Sequence, residues 1–126
     1  MQIKKLDHVN VRTAQLERMI DWYTDVLGMR SGKRPDFPFP GAWMYAADSP
    51  VVHLVGVDGE AGVGSETTLK LEHFAFSASD AGRFEAHLQS RGIRYERAEV
   101  PSANLVQYNV WDPDGNHVHV DFPADE

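Results

Sequence analysis

Cysteine is absent from this chain, which removes three chemistries together: a disulfide framework, a thiolate metal ligand and a cysteine nucleophile. Histidine and carboxylates are left for any borderline metal. Positive charge is scarce too, since 12 Lys and Arg against 19 Asp and Glu leave a net charge of -7, with no basic block. A sequence-independent grip on phosphates needs such a block, so neither nucleic acid nor an anionic membrane is an expected partner. No apolar run approaches the ~18 residues of a membrane span, and MQIKKLDHVNV has no long apolar stretch behind its two lysines. We therefore expect a soluble, cytoplasmic protein. The 126 residues allow a single domain with one core.

What is present is a repetition. LDHVNV at 6–11 returns as LEHFAF at 71–76, and each precedes a helix-like run. Residues 6–12 alternate, with Val9 and Val11 on one face and Leu6, His8, Asn10 and Arg12 on the other, the period of a half-buried strand. Thr13 is placed to cap a helix through Leu16, Met19, Ile20, Tyr23 and Leu27, and Gly28 to stop it. Strands are predicted over 29–33, 43–47 and 51–57, with an aromatic loop, RPDFPFPGAW, before the second and a turn at Asp48-Ser49-Pro50 before the third. A Gly-rich connector, 58–68, ends the first half. The order then restarts: a strand over 69–77, a helix capped by Ser79 or Asp80 and stopped by Gly92, and strands over 93–97, 105–111 and 117–122, the last two joined by Asp112-Pro113-Asp114-Gly115-Asn116.

The spacing argues for two copies. His8 and His73 stand 65 residues apart, Gly28 and Gly92 64, and His53 and His119 66. Three landmarks in one order at nearly one offset predict two βαβββ modules, about 1–57 and 69–126, an α+β fold in which neither module can bury its sheet alone.

A single strand histidine is ordinarily a solvated or hydrogen-bonded residue, and His87, without a counterpart in the first helix, is read that way. His8, His53, His73 and His119 differ because the repeat sets them in matched pairs on polar faces. If the modules curl their sheets toward each other, the four imidazoles converge as metal ligands. Imidazole suits a divalent transition metal (Zn, Fe, Ni or Cu) and suits Mg or Ca poorly. Such a site adds no negative charge, so it favours an anionic, oxygen-rich small molecule. His117, His119 and Asp121 share a face of the last strand, and Asp121 is the nearest candidate for a base or for a group that orients a histidine. Asn10, Arg12, Gln107, Asn109 and His117 would line the same cavity, with Arg12 as partner for a substrate carboxylate. Asp7 and Glu72 fall on the opposite face of the alternation and are excluded as ligands. Phe37, Phe39, Trp43 and Tyr45 either wall an apolar substrate or form a contact or flap over the core edge.

The double βαβββ order, the LDHVNV opening, the helix ending in WYTDVLGM and the closing WDPDGNHVHVDF together resemble the vicinal oxygen chelate superfamily, which includes glyoxalase I, extradiol dioxygenases and bleomycin resistance proteins. The resemblance covers nearly the whole chain and implies a curled, mostly antiparallel eight-stranded sheet. It also implies metal ligands in the first and last strands of each module, matching His8, His53, His73 and His119, chelation of two neighbouring substrate oxygens, and a homodimer. Two departures stand out. Glyoxalase-like members carry Glu four residues after the turn glycine, where this chain has His119, and the extradiol pattern wants Tyr four residues before the turn proline, where it has Asn109. Two functions follow: a metal-dependent lyase, isomerase or dioxygenase, or a bleomycin-resistance-like protein that sequesters a ligand without chemistry.

Overall fold

The computed structural model describes residues 1–60 and 70–126. The chain falls into two compact units, Met1–Val63 and Gly64–Glu126. The first carries β1 (Val9–Thr13), α1 (Leu16–Asp25), β2 (Arg30–Gly32), β3 (Gly41–Ala46) and β4 (Ser49–Gly56). The second carries β5 (His73–Ser77), α2 (Ala81–Ser90), β6 (Glu96–Val100), β7 (Leu105–Trp111) and β8 (His117–Pro123). Each unit forms a four-stranded sheet, in the orders β1-β4-β3-β2 and β5-β8-β7-β6. The repeat read from the spacing is thus a repeat of topology. In both, the first strand pairs parallel with the last, and the remaining pairs are antiparallel.

Alternation decides which face is buried. Along β8, Val118, Val120 and Phe122 are at most 5% exposed, while His117, His119 and Asp121 occupy the other face. Across the ladder, β7 sends Val106, Tyr108 and Val110 to the core. Phe84 of α2 lies 5.7 Å from the Tyr108 ring and 5.6 Å from that of Phe122, so the helix covers the apolar face of this sheet. Glu85 accepts hydrogen bonds from the hydroxyls of both Tyr95 and Tyr108, which satisfies the phenols that this packing removes from water. In the first unit Met19 and Tyr23 of α1 are fully buried along with Met44 and Val52. Each such side chain contributes about 1.5–3 kcal/mol of burial.

Several boundaries differ from the pattern reading. Thr13 does not cap α1: Gln15 occupies that position without a side-chain bond. Thr13 ends β1 fully buried, and its hydroxyl accepts from the Gln15 N–H. The reversal before β4 falls on Ala47 and Asp48, with Ala47 at φ 52°, and Ser49 and Pro50 already belong to the strand. Pro50 is tolerated there because β1 pairs with β4 only from Val52 onward. The strand expected over 93–97 begins at Glu96, since Ile93 is used to close the helix, its N–H bonding Leu88 O. Asp80 caps α2 as expected, accepting from the Arg83 N–H. Leu69, the expected start of a strand, and the connector from position 61 lie outside the described residues.

The turn between β7 and β8 is built on one side chain. Asp112 is 4% exposed; its carboxylate accepts from the backbone N–H groups of Asp114 and Asn116 and from the Asn116 side-chain amide. Gly115 takes φ 83°, which a residue with a Cβ adopts only with strain. This turn sets the register that carries His117 and His119 side by side with Trp111 and Asn109.

Candidate functional site

In the second unit three histidines meet. β5 begins at His73, whose parallel partner is His117, and His119 follows on the same face of β8. The ligand nitrogens of His73, His117 and His119 all lie within 4.8 Å of one another. His73 and His119 stack face to face, with centroids 3.9 Å apart and planes at 12°. His117 meets His119 edge-on at 4.7 Å.

Hydrogen bonds decide which nitrogens are available to an ion. Glu72 Oε1 lies 3.0 Å from His73 Nδ1. An ionised carboxylate only accepts, so Nδ1–H donates and Nε2 keeps its lone pair. His117 is committed at both nitrogens, 3.1 Å from the same Glu72 oxygen and 2.9 Å from Asn109 Oδ1. The Asn109 amide is held in that sense by donating from Nδ2 to Glu96 O. His119 has no hydrogen-bond partner among the described residues. Burial, and then the neighbouring His73 and His117, lower its pKa below the ordinary imidazole value, favouring the neutral form that binds metal. The hydrogen bond from His73 is the largest cause of the lowered Glu72 pKa.

These residues fit a metal. Two imidazole nitrogens on one tetrahedral ion at about 2.0–2.1 Å stand about 3.3 Å apart. The nitrogens lie within 4.8 Å of one another, and the stacked rings of His73 and His119 would have to turn out of their stack for both lone pairs to meet one ion. Two residues beyond His119, Asp121 presents a buried Oδ1 with no hydrogen-bond partner among the described residues, and it pairs in register with Ser77 and Gln107.

The first unit repeats part of this arrangement. His8 and His53 stack at 3.9 Å and 10°, and Trp43, the β3 partner of His53, stacks on that histidine at 4.0 Å and 11°. Asp7 Oδ1 accepts from His8 Nδ1 at 2.8 Å, as Glu72 does from His73. His53 donates from Nε2 to Pro50 O at 3.0 Å, which leaves Nδ1 as its free nitrogen. Burial is the largest cause of its lowered pKa.

Beside this stack lies a half-open cavity of about 140 Å³, lined by Asn10, Arg34, Phe37, Phe39, Trp43 and His53 among others. Asn10 reaches it as the β1 neighbour of His53. Arg12 sits further along β1 opposite Val55, and the guanidinium in the cavity wall is that of Arg34. Pattern reading missed three residues: Arg34, and the carboxylates Asp7 and Glu72, which hold the histidines. The available signal was the acid-histidine dipeptide occurring at the same place in both modules.

The family pattern of the Glyoxalase/Bleomycin resistance protein/Dioxygenase superfamily matches residues 5–120. Among curated proteins the chain is similar to Glyoxylase I 4 of Arabidopsis thaliana, 27% identical over 95% of this chain and 71% of that protein. It is also similar to the lactoylglutathione lyase GLX1 of the same plant, 28% identical over 86% of this chain. The chain spans 40% of that second relative's length. Among solved structures, a glyoxalase family protein from Bacillus anthracis superposes with a TM-score of 0.79 at 21% identity, over 98% of both chains. A glyoxylase/bleomycin resistance protein/dioxygenase domain from Frankia sp. EAN1pec gives 0.79 at 20%, over 97% of this chain and 99% of that one. At these identities the structures speak for the fold alone. Among the described residues, no helix is long and apolar enough to cross a membrane.

Proposed function

From the premise that the chain belongs to the Glyoxalase/Bleomycin resistance protein/Dioxygenase superfamily, we propose that it is a metal-dependent enzyme acting on a small molecule with two adjacent oxygen atoms, in a lyase, isomerase or dioxygenase reaction. The observation that carries this reading is the close pair of His73 and His119, with His73 oriented by Glu72. The proposed ligands are the pair His73 and His119 in the second unit and, as a separate pair, their counterparts His8 and His53 in the first. Bound there, a divalent zinc, iron, nickel or copper ion supplies Lewis acidity toward a carbonyl or enolate oxygen.

The chain's own groups do the rest. Asp121 is the proposed base: its buried Oδ1 has no hydrogen-bond partner among the described residues, so its accepting capacity is unspent. Asn109 and Glu72 occupy both nitrogens of His117 and hold its ring in place against His119. Gln107, beside Asp121 in register, offers an amide that donates to a second oxygen.

The test is turnover by metal-loaded protein on α-hydroxy ketones, catechols and adducts of 2-oxo aldehydes with thiols, comparing wild type with Asp121→Asn. Metal-dependent turnover that Asp121→Asn reduces while keeping its metal supports the reading. Saturable binding across the panel with no turnover in the loaded protein contradicts it, and leaves the sequestering function of a bleomycin-resistance-like protein.

A further inference from the structure

The cavity of the first unit has a size and a wall chemistry that narrow what enters it. Its volume is about 140 Å³, close to the ~150 Å³ of an apolar cavity that admits one benzene ring. Phe37 and Phe39 stack at 5.1 Å with planes at 9°, and Phe37 lies 6.3 Å from Trp43. Both phenylalanines stay substantially exposed, at 39% and 42%, so part of each ring is still in contact with water. Aromatic walls of this kind bind flat rings through offset or edge contacts.

The charge in the wall is a built feature. Arg34 packs its Cζ 5.0 Å from the Phe37 ring centre and 5.1 Å from that of Phe39, and donates from Nη2 to Phe39 O at 3.0 Å. Gly41 makes room for it: a Cβ there would stand 2.9 Å from Arg34 Nη2 and 2.5 Å from Leu54 O. One hydrogen bond leaves most of the five guanidinium N–H groups uncommitted, and among the described residues no carboxylate forms an ion pair with it. In a chain of net charge -7, a cation held without an acidic partner beside an aromatic cavity is a receptor for an anion.

Resting on the small-molecule reading above, we propose that this cavity takes a single aromatic ring carrying a carboxylate, with the ring against Trp43, Phe37 and Phe39 and the carboxylate on Arg34. Asn10, at the polar edge beside His53, is placed to donate to a ring substituent. The substrate class is thereby narrowed to aryl carboxylates.

Calorimetric titration with benzoate, benzamide and acetate tests this, on metal-loaded and chelator-treated protein, for wild type, Arg34→Gln and Arg34→Lys. Benzoate is expected to bind wild type saturably at one per chain whether or not metal is present, acetate not to bind, and the assigned Trp43 indole N–H resonance to shift. Arg34→Gln is expected to weaken benzoate about 10- to 100-fold, the scale of a lost charged hydrogen bond, with Arg34→Lys in between and benzamide little changed. Three results overturn the proposal: no saturable benzoate binding to wild type, equal affinity in a folded Arg34→Gln, or binding that vanishes on chelation. The last would mean that the carboxylate sits on the metal, upholding the enzyme reading while removing this one. Binding that survives in protein unable to take up metal would do the reverse.

Discussion

Glu72 holds His73 by its Nδ1 at 3.0 Å, and the first unit repeats the relationship between Asp7 and His8 at 2.8 Å. A carboxylate behind an imidazole fixes its tautomer and aims the opposite nitrogen, and loss of such a partner typically costs about 10- to 100-fold in metal affinity. Glu72→Gln is expected to weaken metal binding by about that factor while leaving the fold intact, measured by competition with a chromophoric chelator. Because Glu72 also faces His117, its loss should exceed that of Asp7→Asn.

These carboxylates show where pattern reading stopped. Alternation sets neighbours on opposite faces of a strand, and on that ground Asp7 and Glu72 seemed remote from the histidines. Yet β5 begins at His73 and β1 at Val9, so both acids stand just before a strand, where alternation no longer constrains them. The pairing of the histidines was legible, because the repeat spacing matches them, and His8 does stack on His53 and His73 on His119. Arg34 was not legible. It sits in a Pro-punctuated loop without periodicity, and its position depends on the space left by Gly41 against Leu54. Thr13 looked like a helix cap by type, but core packing at the end of β1 claimed it.

Two pH windows follow for the metal-free protein. His53 and His119 have pKa values lowered from 6.5, so below pH 6.5 the unfolded chain binds protons that the folded chain resists, and stability falls as pH drops toward the folded values. Glu72 and Asp7 are lowered from 4.5 and 3.8, so their contribution is present above those values and lost at still lower pH. Thermal melts across pH 3–8 should show both declines, and His53→Gln should flatten only the upper one. An unchanged slope near pH 6 in that variant would refute the assignment.

Glycines at two positions should behave differently. At Gly28, with φ 66° and nothing within 4 Å of the place a Cβ would take, alanine meets only backbone strain, about 1–2 kcal/mol. At Gly41 a Cβ would lie 2.5 Å from Leu54 O, so alanine must shift the β3–β4 pair, costing about 1–3 kcal/mol and displacing Arg34. Denaturant unfolding gives both costs, and only Gly41→Ala should also weaken benzoate binding.

Asp112 anchors the β7–β8 turn through three hydrogen bonds to Asp114 and Asn116. Replacing it with alanine leaves those donors without their acceptor, a loss of about 2–4 kcal/mol. Equilibrium unfolding of Asp112→Ala should show it, and a change under about 0.5 kcal/mol, typical of an uninvolved surface site, would contradict the role given to this side chain.

Elemental analysis of protein purified without an affinity tag, alongside His73→Ala and His119→Ala, bears most directly on the central claim that these imidazoles hold a catalytic metal. The expected result is a stoichiometric transition metal in the wild type that falls sharply in both folded variants. Wild-type protein that takes up no metal on reconstitution, or variants that retain the full amount, would contradict it.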